Sequence, residues 1–191
     1  DLTFSSENGA IISCTNIVFA GLYWTGKSAA DNSTNSSNDF SLTKMINGQQ
    51  VTKNFCKRKI LLKGPNANSY SEIIANEDAI YYPNSSDAFI YSAYAEVTDY
   101  VRQYGVGTYF AADMALTEGN GGGTGYSGDW GLVVIYENAQ MKHRDISLFD
   151  GHAFVLNSNT QGYNLEINGF HTVQTGNVGV KLGLMASEGD V

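Results

Sequence analysis

Ile17-Val18-Phe19-Ala20-Gly21-Leu22-Tyr23-Trp24 is an unbroken apolar run, rich in β-branched and aromatic residues. It is too short and too glycine-interrupted for a helix, and too continuous for a strand with one wet face. It reads as a strand covered on both sides, the central strand of a layered β-protein. The residues around it repeat that theme in shorter form. Phe40 to Ile46 and Val51 to Phe55 flank Asn47-Gly48, and Asn-Gly between two strand-like runs is the strongest short-range signal of a β-hairpin. Further strands are expected at Tyr70 to Tyr82, Phe89 to Ala95, Gly107 to Asp113 and Trp130 to Tyr136. The pattern continues through Asp145 to Phe149, Ala153 to Leu156, Leu165 to Ile167, Phe170 to Val173 and Val178 to Ala186. Only Val97, Tyr100, Val101 and Tyr104 fall at helical spacing, so a short helix is expected around 97–104, with Thr98 or Asp99 as its cap.

Composition supports the same class. The 191 residues include 21 Gly and 12 Tyr but only 2 Pro, with 16% charged, the profile of many short strands joined by glycine and asparagine turns. We therefore expect one all-β domain over residues 1–191, a β-sandwich of jelly-roll-like character. Within it, Trp24, Trp130, Val133, Ile135, Phe149 and Phe154 are expected in the core.

A net charge of -8 argues against nucleic acid as a partner, because phosphates need a basic stripe. The one basic run, Lys57-Arg58-Lys59, reads as a solvated strand edge guarding the apolar Ile60-Leu61-Leu62. No apolar run approaches the roughly 18 residues of a membrane-spanning helix. Polar Ser/Asn loops and a start at Asp1 fit a mature, exported protein, so an extracellular or cell-surface location is expected. The two cysteines, Cys14 and Cys56, permit a single pairing; free thiols and a disulfide both remain open, and export favours the disulfide.

The chemistry-bearing motifs are sparse. Gly119 to Gly125 is a glycine block without the Lys-Ser/Thr ending of a phosphate loop, and it reads as one side of a ligand mouth beside Tyr126, Asp129 and Trp130. His143, His152 and His171 lie on separate segments without metal-ligand spacing. Asp150 before Gly151, and Glu188-Gly189-Asp190, are oxygen-rich turns in which carboxylates and free carbonyls suit calcium, although such dipeptides also simply make turns. No nucleophile elbow is present. A glycan-active enzyme would need a carboxylate pair such as Asp129 with Glu137 or Asp150 facing one cleft.

The order of Gly21 to Trp24, Ala95 to Val101, Gly131 to Glu137, Arg144 to Gly151 and Glu188 to Asp190 resembles an uncharacterised β-rich module near the N-terminus of large secreted or surface-anchored bacterial proteins of the adhesin type. The resemblance implies a surface location, a glycan, peptide or neighbouring protein subunit as ligand, and no catalytic residue. The pattern of that module continues past the Glu-Gly-Asp block whereas this chain ends at Val191, so a fragment is expected.

Overall fold

A computed structural model describes residues 1–28, 39–82, 90–117, 126–153, 164–169, 171 and 174–186. The protein is all-β and sandwich-like. A four-stranded antiparallel sheet of order β6-β7-β1-β9 is built from β1 (Asn16–Lys27), β6 (Ile80–Tyr81), β7 (Ile90–Glu96) and β9 (Gly128–Glu137). A three-stranded sheet of order β5-β4-β8 comprises β4 (Lys59–Lys63), β5 (Ser71–Ile74) and β8 (Phe110–Ala112). The hairpin of β2 (Asp39–Ile46) and β3 (Gln49–Cys56) stands as a separate ribbon.

The opening run is the spine of this arrangement. β1 pairs with β7 on one side and β9 on the other, and Ala20, Gly21 and Leu22 are buried in succession. Burial on both faces follows from its continuous apolar sequence. One face sends Ala20, Leu22 and Trp24 into the core, where they meet Ala93, Ile60 and Leu62. Facing residues across a ladder leave the sheet on the same side, so Ala93 and Ala95 of β7 and Leu132 and Val134 of β9 share this core face.

The hairpin forms as its turn chemistry dictates. Ile46 pairs with Gln49, leaving Asn47 at φ 50 and Gly48 at φ 78, the left-handed pair that a two-residue turn compatible with strand twist requires. Gly21 has a different reason to be glycine. A Cβ there would lie 2.9 to 3.0 Å from ring atoms of Tyr23, Phe19 and Tyr94, so those rings pack down onto bare backbone.

The helix α1 (Thr98–Tyr104) appears where the spacing of Val97, Tyr100, Val101 and Tyr104 places it. Its capping differs from expectation. Val97 holds the N-cap position with no side-chain cap. Thr98 instead accepts the N–H of Ala20 at 3.0 Å and donates to Glu96 at 2.8 Å, and Asp99 pairs with Arg102. The helix is thereby tied to both sheets: Arg102 donates to the Ile17 carbonyl and the Tyr100 hydroxyl to that of Leu62.

The expected core is corrected in part. Trp24 is 2% exposed, Val133 and Ile135 are half-buried, and Trp130 and Phe149 are exposed at 36% and 48%. Trp130 stands on an edge strand, and Phe149 belongs to a stretch with no ladder partner; Phe154 lies outside the described residues. The strands expected at Asp145 to Phe149, Leu165 to Ile167 and Val178 to Ala186 are not formed, and those expected at Ala153 to Leu156 and Phe170 to Val173 fall largely outside the described residues. Cys14 and Cys56 are free thiols, the first exposed beside a short 3-10 turn, the second half-buried at the end of β3.

Candidate functional site

The ladder registers place a set of polar and aromatic side chains on the face of the four-stranded sheet that points away from the core. Thr25 pairs with Asp129 and with Ser92, giving a polar row across β9, β1 and β7. Tyr23 pairs with Tyr94 and Gly131, giving an aromatic row beside it. Gly21 pairs with Glu96 and Val133, giving a third row, and Phe19 with Ile135, giving a fourth and apolar one. The rings of Tyr23 and Tyr94 lie 4.9 Å apart at 34°, within the separations aromatic pairs favour.

The segment after β9 reaches back over this face. His152 Nδ1 lies 2.5 Å from Ser92 Oγ, and the imidazole stacks on Tyr81 at 6.4 Å. Burial holds the His152 pKa below the ordinary histidine value. Tyr23 is pushed up to about 12, first by burial and next by the negative charge of Asp150 beside it. Tyr94 is raised too, by burial and then by Glu96. Burial and carboxylates therefore both favour neutral phenols on this face. Asp150 itself is exposed.

The residues expected to share a ligand mouth are divided. Asp129 stands on the outer face, but Trp130, its neighbour in β9, leaves the sheet toward the opposite face, as the two-residue period of a strand demands. Tyr126 is half-buried just before β9. Of the expected calcium ligands, Asp150 lies near Tyr23, whereas Glu188 and Asp190 lie outside the described residues; among the described residues no group of three His, Cys, Asp or Glu side chains is placed to hold a metal. Asp129 and Glu137 do not form a catalytic pair. They stand eight positions apart on one strand, about 26 Å at a rise of about 3.3 Å per residue, far beyond the roughly 5 to 10 Å that glycoside hydrolysis uses. Ser92 and His152 do put a hydroxyl beside an imidazole, whose buried Nε2 has no hydrogen-bond partner among the described residues.

A second cluster was invisible in the sequence. Lys57 is fully buried, and its Nζ has no hydrogen-bond partner among the described residues. It sits 5.4 Å from the ring of Tyr82 and 6.0 Å from that of Tyr91, while Trp24 Nε1 donates to the Lys57 carbonyl at 3.0 Å. Burial lowers its pKa and raises those of both tyrosines, Tyr82 to about 12. Lys57 and Arg58 are the two residues between β3 and β4, which belong to different sheets. The crossing from one sheet to the other turns Lys57 into the interior, while Arg58 donates to the Ala75 carbonyl and Lys59 pairs with Glu72. The basic run is therefore only partly a solvated edge.

Two shallow concavities, of about 230 Å³ beside Leu2 and Phe4 and about 490 Å³ beside Pro65 and Phe110, include no residue of the outer face. No protein-family model, curated protein or solved structure matches this chain.

Proposed function

We propose that the chain is a non-catalytic, extracellular surface module of the adhesin type, and that it holds a glycan, peptide or neighbouring protein subunit on the outer face of its four-stranded sheet. The observation that supports this reading is the juxtaposition of the Tyr23–Tyr94 ring pair with Asp129, Asp150 and Glu96 on one non-core face. Rings cover the apolar faces of sugars or side chains, and carboxylates accept from hydroxyl and amide groups, a pairing that gives shallow sites their orientation. Calcium is proposed as an accessory at Asp150, where a carboxylate precedes a glycine turn.

A carbohydrate-active enzyme is the second reading, because Asp129 stands on this face and Asp150 reaches it. An array of immobilised oligosaccharides and peptides, probed with and without millimolar calcium, tests both. A ligand retained without turnover, and weakened about tenfold or more by Tyr94→Ser or Asp129→Asn, is the expected result; tenfold corresponds to about 1.4 kcal/mol. Binding untouched by either substitution removes the face from the proposal, and hydrolysis abolished by Asp150→Asn favours the enzyme.

A further inference from the structure

The outer face of the four-stranded sheet is partly covered by the chain itself. Past β9, residues 145–153 make no backbone hydrogen bond to the sheet among the described residues. Side chains hold them there instead. His152 Nδ1 lies 2.5 Å from Ser92 Oγ of β7, and its ring stacks on Tyr81 of β6 at an interplanar angle of 11°. Two positions earlier, the Asp150 carboxylate lies beside Tyr23 and within electrostatic reach of Tyr94. Ser92 belongs to the Thr25 row and Tyr94 to the Tyr23 row, and those rows stand two residues apart along β1, about 6.6 Å at the rise of a strand. Residues 150 and 152 therefore dock on adjacent rows, as a segment laid along the strand direction does. Gly151 between them faces open space, where a Cβ would meet nothing within 4 Å.

We propose that Asp150-Gly151-His152 is a strap that occupies the outer face, and that protonation of His152 releases it. The inference rests on the reading of that face as the ligand-holding one, and it makes the strap an internal competitor: a ligand lying over Tyr23 and Tyr94 must take the place of Asp150. The seat of His152 favours the neutral ring. Its Nε2 is buried with no hydrogen-bond partner among the described residues, a position where an added proton loses water and gains no acceptor. Burial accordingly lowers the pKa. The titratable groups facing the ring are Tyr81 in contact and Asp150 on the strap itself, with Asp129 in the same row beyond β1, Lys27 one row away on β1 and Glu96 two rows away on β7. None of them bonds to either ring nitrogen. Released, the ring regains its ordinary pKa of 6.5 and binds the proton more readily. Docking is therefore complete above that pH and weakens below it, in total about tenfold for each unit by which docking depresses the pKa.

Nuclear magnetic resonance on the full chain tests it. At about pH 7.5, where histidine is mostly neutral, the His152 ring protons should show Overhauser contacts to Tyr81 and Ser92, and the Tyr94 ring should be shielded from a dissolved neutral gadolinium chelate. As the pH falls toward about 5, those contacts should be lost together with the titration of His152, at a midpoint below 6.5. Paramagnetic broadening of Tyr94 should rise over the same interval, while unchanged Trp24 signals report an intact core. His152→Lys, charged throughout, should show the broadened Tyr94 already at about pH 7.5. His152→Gln, uncharged and able to bond Ser92, should keep Tyr94 shielded at both pH values. Absence of the contacts at about pH 7.5 overturns the strap, and contacts that persist after His152 has titrated overturn its release by protonation. The array of oligosaccharides and peptides separates this inference from the reading beneath it. Release of the strap in His152→Lys with no probe gaining retention counts against the face as a ligand site and leaves the strap in place.

Discussion

Trp24→Ala should destabilise the protein by about 3 to 5 kcal/mol, the range for truncating a buried aromatic, whereas Trp130→Ala should cost about 1 kcal/mol. The two tryptophans face each other across the β1–β9 ladder and look equivalent in sequence. Their surroundings differ. Trp24 is on the central strand, 2% exposed, and its indole N–H holds the Lys57 carbonyl, so truncation leaves both a cavity and an unpaired buried acceptor. Trp130 is on the edge strand and 36% exposed. Urea melts of the two variants, followed by far-ultraviolet dichroism because each removes a fluorophore, give the comparison. Equal losses would mean that the β9 edge is as well covered as the sheet centre.

Central features were legible because local chemistry alone decides them. The continuous apolar run could only be a doubly covered strand, and Asn47-Gly48 could only be a tight hairpin turn, as the paired Ile46 and Gln49 show. The helix was legible in its spacing but not in its cap. Thr98 has the chemistry of a cap, yet β1 passes close enough for the Ala20 N–H to claim its hydroxyl, a tertiary contact that no local window contains.

The site was less legible for a similar reason. Asp129 and Trp130 are adjacent in sequence, and adjacency suggested a shared mouth; the strand period sends them to opposite faces. That signal was present in the β9 sequence itself. The grouping of Tyr23, Tyr94, Ser92 and Asp129 was not, because it depends on which strands neighbour β1 and in what register. The C-terminal third shows the converse. Its alternating pattern reads as strands, yet among the described residues Ile146, Leu148, Phe149, Leu165, Ile167, Val178, Val180, Leu182 and Leu184 stand exposed and outside any ladder. Pattern specifies a strand's faces, but a strand also needs an edge to pair with.

Charge runs are usually solvated, so the burial of Lys57 is not legible in the basic run that contains it. An ammonium fully removed from water, with no hydrogen-bond acceptor among the described residues, is destabilising, and the rings of Tyr82 and Tyr91 offset part of that by cation–π attraction. Lys57→Met, close in volume and apolar, should raise stability at pH 7 by about 1 to 4 kcal/mol, the gain seen when buried charges give way to apolar side chains. The pH dependence has a definite sign. Burial places the folded pKa of Lys57 below its ordinary 10.5, so between those values the unfolded chain binds more protons and stability rises with pH. Tyr82 and Tyr109, raised to about 12 from 10.0, act in the opposite sense. Their contribution is complete below pH 10 and is lost as pH climbs toward 12. Cys56, also raised by burial from 9.0, opposes the lysine in the same way from about pH 9, in both proteins alike. The difference between the wild-type and Lys57→Met free energies should therefore shrink steadily as pH increases toward 10.5. Denaturant melts at intervals from pH 7 to pH 10 measure it. A constant difference would mean that Lys57 keeps its proton in the folded state as fully as in the unfolded one throughout that range, and a less stable Met variant would mean that the amine is held by a partner in the folded state.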